Sequence, residues 1–245
     1  MKRLSPLLVV LCLAACATHE EPLTIMSDTS VQLKYDGTHQ FNLNKGNSTV
    51  AANEIVWQSS DNKVGTIDKN GLFEGRKIGK TEVTASTQNG SFKAEVEILP
   101  YYTTYVEPVL DFYKTRQAIK ALERRELTSE DGQTMIYHIG NTKALSVIYI
   151  FEKDQMIGCG VFFNNKSLKP EVNTFLRERY PESITRGDYP GYLADTENFT
   201  ALIKEESGLA VTYVPIGGKG RVTDDAQFRK VMGIMTSKAA EQQLH

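Results

Sequence analysis

"VWQSSDNKVGTIDKNGLFEGRKIGKTEVTA", Val56 to Ala85, opens on the chain's single tryptophan, Trp57, and carries Gly71, Gly75 and Gly79 at four-residue intervals beyond a polar stretch. On both sides of it apolar residues recur in period two. Val31, Leu33 and Tyr35 form one such set, Phe41 and Leu43 another, then Ile55 and Trp57, then Phe92, Ala94, Val96 and Ile98. Successive side chains of a strand point to opposite faces, so this alternation describes half-buried strands with one face in a core. Turn signals separate the runs at Asp36-Gly37, Lys45 to Asn47, Asn70-Gly71 and Asn89-Gly90. Asn-Gly suits a two-residue hairpin turn in which both positions take positive φ. Many short strands with frequent turns predict an antiparallel β-sandwich over residues 23–99. In that reading Trp57 is the large core residue on a middle strand and Gly71 makes a tight hairpin. Gly75 and Gly79 relieve strain where the chain turns.

The set Trp57, Ser59, Ser60, Asp61, Val64, Ile67, Asn70, Gly71, Gly79, Val83 and Ala85 resembles the bacterial Ig-like group-2 domain. That family's pattern is Trp-x-Ser-Ser-Asp, an apolar pair, Asn-Gly, then Gly before a Thr-rich last strand. The preceding "VQLKYDGTHQFNL" fits its first strands, with Gly37 in place. The resemblance implies an Ig-like sandwich, a unit that serves as spacer or adhesive module on bacterial surfaces, and implies no particular ligand. "TIDKNG" matches part of a calcium loop, but Thr66 and Lys77 would fall at its two charged anchor positions. Lys77 repels the ion, so no calcium is expected there.

The N-terminus, "MKRLSPLLVVLCLAAC", has Lys2 and Arg3, an apolar run from Leu7 to Leu13, then small residues. The run is too short to span a bilayer and has the layout of a secretory signal peptide, residues 1–15. "LAAC", Leu13 to Cys16, resembles a bacterial lipobox. The resemblance implies cleavage before Cys16 and acylation of its thiol, leaving residues 16–22 as a lipidated tether. The membrane is then a partner reached through the lipid on Cys16, not through a span. The expected location is the outer membrane, as a lipoprotein of the cell surface or the periplasmic face. Glu20 and Glu21 suit both a surface-export signal and a solvated tether. Of the three cysteines, Cys12 leaves with the signal and Cys16 carries lipid, so Cys159 has no partner for an intrachain disulfide. The formal charge is −2, and losing Lys2 and Arg3 makes it −4. With no basic excess, no nucleic-acid partner is expected.

"PYYTTYVEP", Pro100 to Pro108, marks a linker over residues 100–107. Its Tyr101, Tyr102 and Tyr105 are the candidate binding residues, because amphipathic rings stack on sugars or peptides. The same rings also suit packing between two modules. The period then changes. Val109, Phe112, Ile119 and Leu122 share one helical face, with Pro108 placed for a first turn. Three strands follow, near Thr134–Ile139, Ala144–Glu152 and Met156–Phe163. Pro170 opens a second helix with Val172, Phe175 and Leu176 inward. Three more strands follow, near Tyr189–Asp195, Phe199–Glu205 and Leu209–Pro215. Helix and three strands occur twice, so residues 108–221 are predicted to form a tandem αβββ domain. Its two units give a six-stranded antiparallel sheet with two helices on one face. The whole chain is then α+β and multidomain. The sheet resembles small inhibitor-like and TATA-binding-protein-like sheets in topology alone, which carries no function. Residues 222–245 read as a C-terminal helix capped by Asp224. Its apolar face of Phe228, Val231, Met232 and Met235 serves either docking on the domain or a partner.

Catalytic groups have to meet. The nucleophile candidate is Cys159 and the candidate base His138. Hairpin pairing sets Cys159 opposite Tyr149 and His138 opposite Ala144, a separation approaching ~20 Å. A thiol–imidazole dyad needs about 3 Å, so Cys159 is read as a small buried residue. Of the four histidines, His19 lies in the tether and His245 at the terminus, so no metal cluster is expected. "GGKGR", Gly217 to Arg221, lacks the Lys-Ser/Thr ending of a phosphate loop, and Asp224 and Asp225 follow it. "RGD", Arg186 to Asp188, matches the integrin tripeptide and equally a turn before Tyr189. Glu205 and Glu206 read as solvated charge at a hairpin end. No cofactor is expected. The resulting expectation is a membrane-anchored, non-enzymatic binding or adhesion module for a protein or glycan ligand. The sheet's open face or the tyrosine-rich join is its binding surface. The alternatives are an envelope-polymer hydrolase with two carboxylates in one cleft, and a structural subunit of an envelope complex that uses the C-terminal helix.

Overall fold

The computed structural model describes residues 24–194, 198–206, 208–216 and 225–242. The expected signal segment, the expected lipidation site Cys16, the expected tether, the "GGKGR" stretch and the expected cap Asp224 lie outside the described residues.

The N-terminal part is the expected Ig-like β-sandwich. Its ten strands are β1 (Thr24–Met26), β2 (Ser30–Lys34), β3 (Thr38–Gln40), β4 (Leu43–Lys45), β5 (Ser48–Thr49), β6 (Val56–Ser59), β7 (Gly65–Ile67), β8 (Leu72–Gly75), β9 (Gly79–Thr87) and β10 (Gly90–Leu99). They form sheets of order β1-β4-β5, β2-β10-β9-β6 and β3-β8-β7. The alternating residues meet in one core, with Phe41, Leu43, Phe73, Val83, Ala85 and Val96 fully buried. The sandwich is not wholly antiparallel. β2 runs parallel to β10, with Ser30 opposite Glu95 and Lys34 opposite Leu99.

Trp57 departs from its expected place. It lies on β6, the edge strand of its sheet, and is only partly buried. Phe41 and Phe73 fill the centre instead. The indole lies over Gly71, whose φ is +83°. A Cβ at Gly71 would stand 2.6 Å from the Phe41 carbonyl oxygen and 3.0 Å from the Trp57 ring. The tryptophan therefore requires the glycine on two counts, left-handed backbone and close approach. Asn70 does not share the positive φ. The turn is a four-residue connection, Asp68 to Gly71, closed by the Gly71 N–H donating to the Asp68 carbonyl at 3.1 Å. The Asp68 carboxylate accepts from the Leu72 and Asn70 amides at 2.9 and 2.8 Å, which hold it below its ordinary pKa. Asp68 thus closes a turn. Gly75 serves close packing instead of a turn, since a Cβ there would stand 2.9 Å from Ile98 Cδ1.

The second part has α1 (Arg116–Leu122), β11 (Glu126–Glu130), β12 (Thr134–His138), β13 (Ala144–Glu152), β14 (Gln155–Phe163), α2 (Lys169–Arg177), β15 (Glu182–Arg186), β16 (Tyr189–Ala194), β17 (Phe199–Lys204), β18 (Ala210–Pro215) and α3 (Asp225–Gln242). Where helix and three strands are expected twice, α1 and α2 are each followed by four strands, αββββ. The sheet has eight antiparallel strands, not six, in the order β11-β12-β13-β14-β18-β17-β16-β15. The added strands are the two edges. β11 is exposed at every position and β15 at most, so neither shows the alternation that betrays a half-buried strand. The two units meet at β14 and β18, where Cys159 pairs with Tyr213.

α1 begins at Arg116, not at Pro108, with the Thr115 hydroxyl accepting from the Ala118 amide. Upstream backbone is engaged elsewhere: the Val109 amide donates to the Tyr149 hydroxyl and the Tyr113 amide to the Met156 carbonyl. Ile119 of α1 and Val172, Phe175 and Leu176 of α2 pack on one face of the sheet. α3 covers the other face with Val231, Met232, Met235 and Ala239, over Ile148, Ile150, Ile157, Leu202 and Val214. The sheet face expected to be open is therefore occupied by the chain's own C-terminal helix. Gly158 and Gly160 make room for it. A Cβ at Gly158 would stand 2.7 Å from Val231, and one at Gly160 2.4 Å from the flexible end of Met235. Because both faces are covered, β17 and β18 are buried along their whole length.

Candidate functional site

The tyrosine-rich join is a strap bound to the second domain. At its start the Tyr101 and Tyr102 amides donate to the Glu178 carboxylate at 2.8 and 3.4 Å. At its end the Arg125 guanidinium donates to the carbonyls of Val106 and Glu107. The Glu107 carboxylate in turn accepts from the hydroxyls of Tyr180 at 2.7 Å and Tyr213 at 3.0 Å. Tyr105 points inward. It is 4% exposed, stacks on Phe175 at 4.3 Å and shares a 2.6 Å hydrogen bond with the Tyr213 hydroxyl. Burial, reinforced by the Glu107 charge, pushes both phenols well above their ordinary pKa. Tyr105 is thus a core residue and presents no surface to a ligand. Tyr101 and Tyr102 remain exposed. The Tyr101 hydroxyl donates to Asp36 at 3.3 Å, and the Asp36 charge raises that phenol's pKa.

Glu178 ties the two domains together. Its side chain is wholly buried and, besides the strap amides, accepts from Arg179 at 2.8 Å. Its main-chain carbonyl accepts the Ile78 amide from the Ig-like domain at 2.8 Å. Next to it the Arg177 guanidinium lies 5.6 Å from the Tyr35 ring centre, across the same joint.

Between the domains is a cleft of about 570 Å³. The Ig-like wall consists of Tyr35, Asp36, Asn62, Lys63, Glu74, Gly75, Arg76 and Lys77, and the opposite wall of Arg179, Tyr180, Pro181, Glu182, Leu193 and Ala194. The Ig-like wall is set by backbone. Asp36 turns at φ +58°, the Gly75 amide donates to the Gly37 carbonyl at 2.9 Å, and the Arg76 and Lys77 amides both donate to the Val64 carbonyl. Its volume lies within the range of small-ligand sites, and domain interfaces are a favoured place for them. The sequence pointed to the join but not to the cleft. The lining comes from stretches far apart in the sequence, Tyr35–Asp36, Asn62–Lys63, Glu74–Lys77, Arg179–Glu182 and Leu193–Ala194, and none of them carries a motif.

The remaining candidates are placed as follows. Cys159 pairs with Tyr149 as the spacing predicts, while His138 pairs with Ser146, not Ala144. That leaves three residues and two strands between them, about 14 Å. The two also face opposite sides of the sheet. Cys159 lies in the core under α1 and α2, whereas His138 alternates with Tyr137 and Ile139 of that core and is exposed. Burial, then the Glu107 charge, raises the Cys159 thiol well above its ordinary pKa, which disfavours a thiolate nucleophile. Arg186 to Asp188 form the tip of the β15–β16 hairpin, with Gly187 at φ +59° and Arg186 4.3 Å over the Phe228 ring. Glu205 and Glu206 carry exposed carboxylates, as expected of solvated charge, and each also forms an ion pair, with Lys169 at 2.5 Å and Lys204 at 2.7 Å. Among the described residues no group of three or more His, Cys, Asp or Glu side chains is placed to hold a metal, and no helix is long and apolar enough to cross a membrane.

No curated protein matches the chain. Among solved structures, an intimin mutant of EHEC O157:H7 is similar at 8% identity over 44% of this chain and 74% of its own, with a TM-score of 0.24. Domains 4–9 of the surface layer protein SbsC align at 9% identity over 81% of this chain and 27% of theirs, with a TM-score of 0.29. The Bacteroides ovatus protein SGBP-B, of a mixed-linkage glucan utilization locus and in complex with a heptasaccharide, aligns at 10% identity over 77% of this chain and 57% of its own, with a TM-score of 0.22. Scores this low carry no argument about the arrangement of this chain. The family assignment rests on sequence: residues 22–98 match the model of the bacterial Ig-like domain (group 2), and this part of the chain is a domain of that family.

Proposed function

We propose that the chain is a lipid-anchored envelope protein that binds a ligand without transforming it. The bacterial Ig-like domain carries the α+β domain away from the membrane, and the ligand sits at the joint. The observation that carries the binding reading is the cleft of about 570 Å³ whose walls come from both domains. The "LAAC" stretch ending at Cys16 supports the anchor, and the Ig-like domain supports an envelope location.

Two measurements test this. Cells fed a palmitate analogue should label the wild-type chain and not the Cys16→Ala variant; a variant that stays labelled and membrane-bound would refute the anchor. Protease shaving of intact cells, read by mass spectrometry for peptides from Val109 onward, distinguishes an outward from a periplasmic placement.

One observation favours a second reading, an envelope-polymer hydrolase: Asp36, Glu74 and Glu182 line the same cleft. Release of new reducing ends from purified envelope polymers, lost in Glu74→Gln or Asp36→Asn, would establish that reading in place of the first. The reading as a subunit that offers its C-terminal helix loses support, since the apolar face of α3 is spent on the sheet.

A further inference from the structure

We infer that the second domain pairs with a second copy of this chain along β15, edge to edge and antiparallel. The eight-stranded sheet ends in β11 on one side and in β15 on the other. An open edge presents unpaired N–H and C=O groups, and chains blunt such edges with bulges and with repelling charge. β11 has both devices. Its ladder shifts register between Leu127 and Ser129. Glu126 and Glu130 stand at its two ends, so pairing with its own copy would set glutamate against glutamate. β15 has neither. Its five pairs with β16, from Glu182–Leu193 to Arg186–Tyr189, run without a shift. It carries a glutamate at one end and an arginine at the other.

The ladder itself selects the register. Pro190 stands opposite Thr185 and has no N–H, so that pair is not a hydrogen-bonded one. Antiparallel pairs alternate between the two kinds, so Ser183 is not bonded to β16 either. Both residues turn their N–H and C=O groups to the open edge. Among the described residues no backbone bond from elsewhere in the chain reaches those groups. A second β15, laid antiparallel with Ile184 opposite Ile184, sets Ser183 opposite Thr185 of the copy on both sides of the two-fold axis. Two backbone hydrogen bonds then form at each such pair. The same register sets Glu182 opposite Arg186 of the copy, again twice, and opposite charges directly across a ladder attract. Glu182, Ile184 and Arg186 share one face of the sheet. Ile184 packs there against the cluster under α3, so the two isoleucines extend that core across the seam. The Arg186 guanidinium lies 4.3 Å over the Phe228 ring, which keeps its charge near the edge. Its five N–H donors can serve more than one acceptor. Beyond Arg186 the copy turns back at once through Gly187 and Asp188, so only that tip passes Glu182. The contact uses one patch on both copies and closes as a dimer. It does not depend on what the cleft takes.

The test is disulfide trapping in cells that express the full chain. In this register residue 184 faces its own copy in a non-hydrogen-bonded pair, with Cα atoms about 4.5 Å apart, within disulfide reach. Residue 185 lies about 8 Å from its own copy, beyond that reach. Cells carrying Ile184→Cys or Thr185→Cys are oxidised with diamide, and the chain is read on non-reducing gels. Ile184 is only partly buried, so cysteine there leaves the core intact. Wild type, whose Cys159 is buried, sets the background. Ile184→Cys should yield at least about tenfold more linked dimer than Thr185→Cys, because only its thiols can meet. In the Ile184→Cys background, Glu182→Arg sets arginine against arginine, and Arg186→Glu sets glutamate against glutamate. Each should cut the linked fraction at least about tenfold, since every change acts twice in a two-fold contact. Both changes together restore unlike pairs and should restore the dimer. Glu182→Arg leaves the Arg186–Phe228 contact in place, so its effect is not that of a loosened α3. The inference is overturned if Ile184→Cys stays monomeric or links no better than Thr185→Cys. It is equally overturned if the single charge variants link as well as their parent, or if the double variant links no better than the singles. Linkage to a different protein in place of a second copy also overturns it, and gives the edge another partner.

Discussion

The Ile78 amide donates to the main-chain carbonyl of Glu178 at 2.8 Å, so a loop of the Ig-like domain ends on the C-terminus of α2. The same glutamate holds the strap with its side chain. One buried residue thus joins a loop of the Ig-like domain to both α2 and the strap, beside the cleft.

Glu178→Ala removes the acceptor for two strap amides and leaves Arg179 without its near partner. Breaking a buried ion pair in this way costs about 3–5 kcal/mol. The loss should appear as a lowered urea midpoint for the second domain, with small-angle scattering showing a wider spread of domain separations. Glu178→Gln keeps the shape and should lose less. Unchanged scattering in Glu178→Ala would mean the joint is held elsewhere.

Gly71→Ala should destabilise the Ig-like domain by roughly 1–3 kcal/mol, because the position combines positive φ with a close carbonyl and an overlying indole. Fluorescence of Trp57 should shift with it, since the ring must move to admit the methyl group. A variant as stable as wild type would show that the turn relaxes without strain.

What was legible in the sequence follows from burial. Val31, Phe41, Leu43, Ala94, Val96 and Ile98 alternate because one face of each strand meets the core, and they were placed correctly. β11 and β15 cannot be read, because β11 is exposed at every position and β15 turns only Ile184 towards a core, which leaves too little pattern. Val109 and Phe112 mimic a helical face, yet they pack from the strap, where backbone bonds to Tyr149 and Met156 replace the helix. The size of Trp57 suggests a middle strand, but it lies on an edge strand with its ring over Gly71. The strap misled in the same way: three similar tyrosines suggested one surface, but Tyr105 turns inward to Tyr213. Long-range pairings such as this and β2 with β10 leave no local trace.

Gly158→Val should loosen α3. The added side chain meets Val231 at close range, with the Tyr213 carbonyl behind it. Limited proteolysis should then cut within residues 225–242 at least about tenfold faster than in wild type, as expected when a docked helix opens locally more often. Equal cutting rates would show that α3 shifts to accommodate the change.

Acid should weaken the same docking. The Asp131 carboxylate accepts from the Gln133 and Thr134 amides and lies 3.4 Å from Lys238 of α3. Burial works to raise its pKa, but those hydrogen bonds prevail and lower it to about 2. An unfolded aspartate titrates near ~3.9. The stability it contributes is therefore complete above about pH 4 and is lost as pH falls through about 2. Melting curves between pH 5 and pH 2 should show this loss, and Asp131→Asn should flatten it. An equally steep profile in the variant would assign the acid sensitivity to other carboxylates.

The parallel pairing of β2 with β10 gives the Ig-like domain a mechanical character. β2 enters from the N-terminal side, and β10 leaves into the strap, so the two ends of this pair lie at opposite ends of the ladder. Pulling the N-terminal side against the second domain slides one strand along the other and does not peel them apart. The five registered pairs and the flanking bonds, Glu95 amide to Thr29 carbonyl and Tyr35 amide to Leu99 carbonyl, then bear the load together. Once β1 is drawn from β4, a chain tethered at its N-terminal end would resist drag on its second domain as a shear clasp, with a lifetime under tension governed by an unfolding rate.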